Sequence, residues 1–374
     1  MKLHYYRLLQ VDKQNLMNIN RYSRHILLSE IGEEGQKKIN DANVLVIGAG
    51  GLGCPILQYL TAAGVGTIGI VDFDVVDETN LQRQILFGNA SLGVNKAIAA
   101  KERLSDLNPD IIINIYPEKL TADNAIDLFK PYDIIVDGTD NFSTRYLIND
   151  TAILTNKPLV YGAIYKFEGQ VSVFNYKNGP SYRCLFPTPP EEGTIGNCAD
   201  IGVLGVLPGI IGTMQANEVL KLILGLGNLL SGRLFCFNAL TNATMTLKLK
   251  RSETEIKRVL DEKENFKTIH SNTLNCEIPI IEIPIEDTLQ KQNIQFIDVR
   301  EPHEQPKLDD LNPIEIPLGT LEMQLSQLNP NLDTIVFCQS GIRSKKAVNI
   351  LLKHNITNCY SLKGGVIAVL ENSK

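Results

Sequence analysis

The chain alternates short, almost wholly apolar runs with longer segments in which apolar residues recur every three to four positions. Asn43 to Ile47 (NVLVI) and Thr67 to Val71 (TIGIV) read as buried strands, with a glycine turn and a helix over Pro55 to Ala63 between them. A helical stretch follows from roughly Asn95 to Leu107. Further strands are expected at Ile111 to Ile115, Asp133 to Val136 and Leu159 to Gly162. Apolar runs without a polar face fit strands covered on both sides, and their alternation with helices predicts crossover units in a mostly parallel sheet. From Gly169 to Tyr176 (GQVSVFNY) the period drops to two, which predicts antiparallel additions.

Residues Lys248 to Lys267 (KLKRSETEIKRVLDEKENFK) are charge-dense and poor in apolar periodicity, so they read as a boundary. Beyond them, Phe296 to Val299 and Thr334 to Phe337 look like strands of a second, smaller α/β domain. The expected organisation is an N-terminal extension (1–19), a large domain (20–250), a linker (251–274) and a small domain (275–374). Met17 offers a second possible start. Ile201 to Leu230 is the most apolar stretch, but Gln215, Asn217, Glu218 and Lys221 interrupt it, so a buried helix is expected rather than a membrane span. The first ten residues, MKLHYYRLLQ, lack an apolar core followed by a small-residue cleavage site, so no export leader is expected.

The composition narrows the class. With 374 residues, two to three domains are expected at about 150 residues each. Apolar residues make up 44% and charged residues 21%, which argues against disorder. Lys plus Arg number 36 against 42 Asp plus Glu, with no basic run, which argues against nucleic acid as the main partner. Seven cysteines at 54, 184, 198, 236, 276, 338 and 359 show no disulfide or zinc-knuckle spacing, so a reducing cytoplasm is expected. His25, His270, His303 and His354 are scattered without metal-site spacing.

Gly48-Ala49-Gly50-Gly51-Leu52-Gly53 directly follows a strand and opens a helix. Gly48, Gly50, Gly51 and Gly53 let the backbone approach a phosphate, and the helix N-terminus presents free N–H groups to the anion. Asp72 ends the next strand, where a carboxylate can hydrogen-bond a ribose hydroxyl. Taken alone, this fingerprint favours an NAD-dependent oxidoreductase. The residues that follow change the balance: Asp74, then Thr79-Asn80-Leu81-Gln82-Arg83-Gln84, Lys96, and Asp137-Gly138-Thr139-Asp140-Asn141. At the carboxyl ends of parallel strands they would converge on one crevice. Hydride transfer needs no such cations and second carboxylate around the phosphates, whereas attack on an α-phosphorus does.

With Arg21-Tyr22-Ser23-Arg24, GAGGLGC, DFDVVDETNLQRQ, Lys96, DGTDN and Asn197-Cys198, the chain resembles the MoeB/ThiF (HesA) family of ubiquitin-activating-type adenylyltransferases over roughly residues 20 to 250. The resemblance implies a Rossmann-like, mostly parallel sheet that binds ATP and Mg²⁺. It also implies adenylation of the C-terminal glycine of a small ubiquitin-like sulfur carrier ending in Gly-Gly. Carried over by position, Gly51, Asp72, Thr79, Asn80, Leu81, Gln82, Arg83, Lys96, Asp140 and Asn141 would contact the nucleotide. Asp140 would lie nearest the Mg²⁺, and Arg24 would reach the partner subunit's phosphates in a homodimer. Cys198, in a polar turn before an apolar run, has the context of a reactive thiol; in relatives the equivalent cysteine can link covalently to the carrier. Many family members hold a structural zinc with two Cys-x-x-Cys pairs. Here those regions read Ser181-Tyr182-Arg183-Cys184 and Arg251-Ser252-Glu253-Thr254. One thiolate cannot make a four-coordinate site, so zinc is not expected and Cys184 is expected to be a packed thiol.

In the small domain, the strand to Phe337 runs into Cys338-Gln339-Ser340-Gly341-Ile342-Arg343-Ser344 and then a helix. Such a loop cradles one sulfur in backbone N–H groups, stabilising a thiolate or persulfide, and Arg343 adds a cation. With Asp298-Val299-Arg300-Glu301-Pro302-His303-Glu304 and Gly364-Gly365, residues 275 to 374 resemble rhodanese sulfurtransferases. The segment between His303 and Pro317 lacks the usual Gly-His-Ile step, and a phosphatase with a similar loop fits less well. Together the halves predict an adenylyltransferase whose acyl-AMP product takes sulfur from a Cys338 persulfide. The sulfur donor would be a cysteine desulfurase or thiosulfate. The expected settings are molybdopterin or thiamine synthesis, or tRNA thiolation. The alternatives are the oxidoreductase and a non-catalytic binder of a ubiquitin-like tail.

Overall fold

The computed structural model describes residues 18–190, 202–272, 280–288, 291 and 293–372. The chain divides into two compact units after Ser271.

The first unit is built on an eight-stranded sheet: β1 (Asn43–Ile47), β2 (Thr67–Val71), β3 (Ile112–Tyr116), β4 (Ile134–Asp137), β5 (Leu159–Tyr165), β6 (Glu168–Phe174), β7 (Arg233–Asn238) and β8 (Thr244–Lys248). Their spatial order is β3-β2-β1-β4-β5-β6-β7-β8. The first five in that order are parallel, and the last three join antiparallel, with Val160 opposite Val173 and Phe235 opposite Thr246. The chain leaves β1 towards β2 and β3, then returns to place β4 on its other side. This reversal opens a crevice at the carboxyl ends of β1 and β4.

Both faces of β1 are buried, which is why its sequence reads as an unbroken apolar run. Val44 and Val46 pack with Leu57, Leu60, Ala100 and Ile211. Leu45 and Ile47 pack with Ile135, Tyr146, Tyr161 and Phe174 on the opposite face. The covering helices are α1 (Ile19–Ile26), α2 (Gly32–Asp41), α3 (Gly53–Ala63), α4 (Lys96–Leu107), α5 (Phe142–Leu154) and α6 (Val206–Leu224). Asn18 caps α1 through a bond from Arg21 N, so this helix begins within the expected extension. No described helix is long and apolar enough to cross a membrane.

The segment expected to be a linker, 251–274, is helical through residue 272. It forms α7 (Glu253–Asp261) and α8 (Phe266–Asn272) on the first unit. Ser252 caps α7, whose Ile256 and Val259 bury against Ile153. Phe266 joins the core beneath α5, and His270 Nε2 lies 3.0 Å from Asp150 Oδ2. One narrow apolar stripe suffices to dock these helices, while their charges face solvent and mask the periodicity.

The second unit is a five-stranded parallel sheet of β9 (Glu282–Ile283), β10 (Ile294–Asp298), β11 (Ile314–Glu315), β12 (Asp333–Phe337) and β13 (Cys359–Leu362). Their order is β11-β10-β12-β13-β9. Helices α9 (Ile342–Lys353) and α10 (Gly365–Asn372) complete it. Ile335 and Phe337 of β12 face one core, and Val336 faces the other with Ala347, Val348 and Leu351.

Candidate active sites

Gly48 follows β1 at φ +92°, a left-handed conformation that favours glycine, and its N–H donates to Val71 O at 2.8 Å. Gly53 opens α3 so close to Gly48 O that a Cβ there would overlap it. A Cβ on Gly50 would meet nothing nearer than Gln84 Nε2 at 3.8 Å, and one on Gly51 would lie 3.1 Å from Pro208. The turn is thus set by Gly48 and Gly53, while Gly50 and Gly51 keep it bare towards the crevice.

Asp72 follows β2 and is buried. Its Oδ2 accepts from Ala49 N of the glycine turn at 2.7 Å, and its Oδ1 accepts from Asp74 N at 2.9 Å. Burial pushes its carboxyl above the usual range, opposed by those two bonds and by Lys96. Asp72 therefore braces the turn, and each oxygen retains a lone pair for a ribose hydroxyl. Asn95 caps α4 through Ala97 N and Ile98 N and also donates to the carbonyls of Asp72 and Asp74. This holds Lys96, which is only 7% exposed, with Nζ 3.1 Å from Asp74 Oδ2. A buried lysine beside one half-exposed carboxylate is not a surface charge.

The expected Thr79–Arg83 segment forms a short 3₁₀ turn closed by a capping box between Asp77 and Asn80. The Thr79 hydroxyl donates to Asp77 Oδ1, and Arg83 Nη1 donates to Thr79 O at 3.0 Å. Leu81 packs against the core, and Gln82 is exposed. The Arg83 stem runs past Gly51, 3.6 Å from where its Cβ would be.

At the end of β4, Asp137 is fully buried. Its Oδ1 accepts from the N–H and hydroxyl of Thr139 at 2.9 and 2.6 Å. Its Oδ2 accepts from Arg145 Nε, whose Nη2 reaches Thr139 O at 3.1 Å. Asp140 is exposed, three residues past β4. Asn141 is the N-cap of α5, accepting from Thr144 N and Ser143 Oγ, so its side chain serves the helix start. From α6, Gln215 Nε2 donates to Asp137 O at 2.7 Å, close against the glycine at 162.

Arg145 is not anticipated from the sequence, Gln215 is noted there only as an interruption of an apolar stretch, and Asp137 and Gln84 are expected among the groups at the crevice. Asp137, Arg145 and Gln215 support the Asp140 loop. Gln84 is also buried and aimed towards Gly50, with Oε1 lacking a partner. A signal for Gln215 was present, an amide within the most apolar stretch of the chain, whereas Arg145 sits in a helix rich in polar residues that do not mark it out. Arg24 lies exposed on α1. Asn197 and Cys198 fall outside the described residues. Cys54, in the GLGC turn, is buried, and burial pushes its thiol up to about 12.

Cys184, expected as a packed thiol, accepts at Sγ from Ser181 N at 3.3 Å and from Ser252 N at 3.2 Å, and packs beside Ile153 and Ile256. Next to it Arg183 forms a bidentate pair with Asp150 at 2.6 and 2.7 Å. Among the described residues no group of three or more His, Cys, Asp or Glu is placed to hold a metal. A nucleotide-bound Mg²⁺ needs no such group, because phosphates and water supply most of its ligands.

In the second unit, Cys338 leaves β12 and is 1% exposed. Gly341, at φ +94°, donates its N–H to Cys338 Sγ at 3.2 Å, and α9 starts one residue later. The Gly364–Gly365 turn clamps the loop: Val366 N donates to Cys338 O at 2.9 Å and Ile367 N to Gln339 O at 3.2 Å. A Cβ on Gly365 would overlap Cys338 O. Arg343, expected to add a cation beside the loop, is paired with Glu304 at 2.6 and 2.7 Å. That bond holds the Glu304 carboxyl down at about 2.

A glycine turn after β1, with Lys96 and Arg83 on segments that follow β2 and Asp140 on the loop after β4, joined to a second unit that cradles one cysteine, defines a nucleotide-using activating domain followed by a sulfur-handling one. The chain belongs to the ThiF family, which matches residues 22–258, and residues 285–372 match the rhodanese-like domain. The resemblance read from the ordered motifs thus holds. The chain is 41% identical over 362 residues to a probable adenylyltransferase/sulfurtransferase, MoeZ, of Mycobacterium tuberculosis, covering 94% of this chain and 92% of that protein. It is 48% identical over 239 residues to the sulfur carrier protein adenylyltransferase of Thermus thermophilus, covering 63% and 88%. Among solved structures, E. coli MccB with ATP superposes with a TM-score of 0.56 at 22% identity, covering 63% of this chain and 73% of MccB, which shows the shared fold.

Proposed function

We propose that this protein is an adenylyltransferase and sulfurtransferase acting on a small ubiquitin-like sulfur carrier ending in Gly-Gly. The observation that carries the reading is the presence, in one chain, of an exposed Asp140 above a braced phosphate crevice and of Cys338 in a backbone N–H cradle. In the crevice the glycine-turn N–H groups, Lys96 and Arg83 hold ATP phosphates, and Asp72 meets the ribose. Gly48, Gly50, Gly51 and Gly53 shape the floor, with Thr79 to Gln82 and Asn141 at its rim. Asp140 suits a Mg²⁺ site, being exposed with room for phosphate co-ligands; the ion would neutralise charge on the leaving pyrophosphate. Arg24 completes the phosphate contacts from the partner subunit of a homodimer.

The carrier carboxylate attacks the α-phosphorus, and the bond to the β-phosphate breaks. The product is an acyl adenylate and pyrophosphate. A Cys338 persulfide then attacks the acyl carbon and expels AMP. A second thiol cleaves the resulting acyl disulfide at the Cys338 sulfur, releasing the thiocarboxylate. Cys198 is the residue for any covalent acyl intermediate. The five described cysteines are free, which suits a reducing cytoplasm. Molybdopterin or thiamine synthesis, or tRNA thiolation, would use such a product.

Carrier-dependent exchange of labelled pyrophosphate into ATP tests this reading. Asp140→Ala should abolish exchange and Cys338→Ala should retain it. Exchange lost in both variants would contradict the division of labour.

A further inference from the structure

Two serines are buried in the second unit beside Cys338. Ser344 is the third residue of the twelve-residue α9, and Ser361 lies on β13. Neither has any exposed surface. Ser361 shares a face of β13 with Cys359, which packs in an apolar core with Ala347, Val348 and Leu351 of α9. Hydroxyls in such a place cost free energy unless they are hydrogen-bonded. Here the two Oγ atoms lie 2.8 Å apart, and Ser344 Oγ also lies 3.0 Å from Gly341 O and 3.8 Å from Cys338 Sγ.

One hydroxyl thus faces three partners, with one proton to give and two lone pairs to receive. Gly341 O can only accept, whereas Cys338 donates as a thiol and accepts as a thiolate. With a thiol, Cys338 S–H and Ser361 O–H both donate to Ser344 Oγ, whose own proton goes to Gly341 O. With a thiolate, the Ser344 proton turns to Sγ while Ser361 still donates to Ser344 Oγ. Gly341 O keeps a donor throughout, because Lys345 N reaches it at 3.3 Å. The change needs only the rotation of one O–H bond. On the anion, Ser344 O–H joins Gly341 N–H, which already donates to Sγ at 3.2 Å. Hydrogen bonds to a charged acceptor are shorter and stronger than those to a neutral one.

We propose that Ser344, braced by Ser361, is a hydroxyl switch that accepts from the Cys338 thiol and donates to its thiolate, favouring the nucleophilic form. The thiol proton passes to solvent, and no other bond changes. The role of the switch rests on reading Cys338 as the sulfur-carrying nucleophile. Ser361 acts through Ser344 and is a positioning residue. The charged groups of the surrounding segments are Arg343 with Glu304 and Glu301, Lys345 with Glu282, Arg300 with Asp298, and Lys363 beside the Gly364–Gly365 turn. Replacing a serine leaves each of them in place, so the comparison isolates the hydroxyls.

The test alkylates the full-length reduced protein with iodoacetamide over a range of pH and reads the Cys338 peptide by mass, which needs no sulfur transfer. In Ser344→Ala the pH of half-maximal rate should rise by about one unit, with the rate near neutrality falling about tenfold and the alkaline plateau unchanged. Ser361→Ala should shift the profile the same way by less, and carries the test if Ser344→Ala misfolds. Ser344→Thr, which keeps the hydroxyl, should restore the wild-type profile. A purely structural role would lower the plateau or the unfolding temperature without moving the midpoint. An unmoved midpoint in the folded alanine variants would overturn the proposal. A shifted midpoint in a protein that transfers no sulfur would support the switch and overturn the sulfurtransferase reading instead.

Discussion

Arg145 and Asp137 form a buried ion pair, Nε to Oδ2 at 3.2 Å, that ties α5 to the end of β4 directly below the loop carrying Asp140. The guanidinium also lies 5.0 Å from the Tyr161 ring centre. Burial opposes its charge, but Tyr161 and Asp137 outweigh that and keep it cationic. Charge here serves geometry: Asp137 and Arg145 both bind Thr139, so the next residue, Asp140, emerges in a defined direction.

Arg145→Met should therefore leave Asp137 buried without a countercharge. A loss of about 3–5 kcal/mol is expected for breaking such a pair. Urea unfolding of the full chain would show it in the transition of the first unit. A change below about 1 kcal/mol would mean the pair does not hold the loop.

The glycines of the nucleotide turn should respond unequally. Gly53→Ala forces a Cβ into Gly48 O and should lower stability by about 1–3 kcal/mol, with loss of ATP binding. Gly50→Ala, with no atom nearer than 3.8 Å to its Cβ, should fold normally. Calorimetric titration with ATP and thermal unfolding of both variants would check the contrast; equal unfolding temperatures would refute it.

The Glu304–Arg343 pair should make the second unit sensitive to acid. The Glu304 carboxyl is depressed from 4.5 to about 2 in the folded protein by its bond to Arg343. Its stabilising contribution is therefore complete above about 4.5 and disappears as pH falls towards about 2. Thermal unfolding of wild type and Glu304→Gln should differ at pH 7 and converge near pH 2. A difference that persists at the acid end would argue against the pair as its source.

The docked helices α7 and α8 should be indispensable to the first unit. A fragment ending at residue 250 exposes the surfaces that cover Ile256, Val259 and Phe266, and removes His270 from Asp150. It should aggregate, whereas a fragment ending at residue 272 should stay folded. Sedimentation and circular dichroism of the two would decide. A stable shorter fragment would restore the linker reading.

The strands legible in the sequence are those covered on both faces. NVLVI, TIGIV and IIVD bury every residue or nearly so, and such runs have few alternatives. β8 was not anticipated, because all five of its residues are exposed and its pattern carries no buried face. The helices of 253–272 were missed for a related reason: two or three apolar anchors per helix are enough to dock, and charge dominates what remains. In the crevice, the motif residues were identifiable from their order, but their supports were not. Arg145, eight residues past Asp137, and Gln215, 78 residues past it, meet that carboxylate and its carbonyl only through the packing of β4, α5 and α6.

The amino-acid order by itself determined the parallel sheet, the glycine turn, the two cysteine-bearing regions and the family. Each of these depends on local pattern, on backbone freedom at particular glycines or on chemistry carried by a short segment. Only the tertiary structure decided which charges are matched: Arg343 by Glu304, Lys96 by Asp74, Arg145 by Asp137. Such pairings depend on distances of a few ångströms between segments that packing brings together, and electrostatic energy varies too steeply with distance and burial to be read from a linear chain.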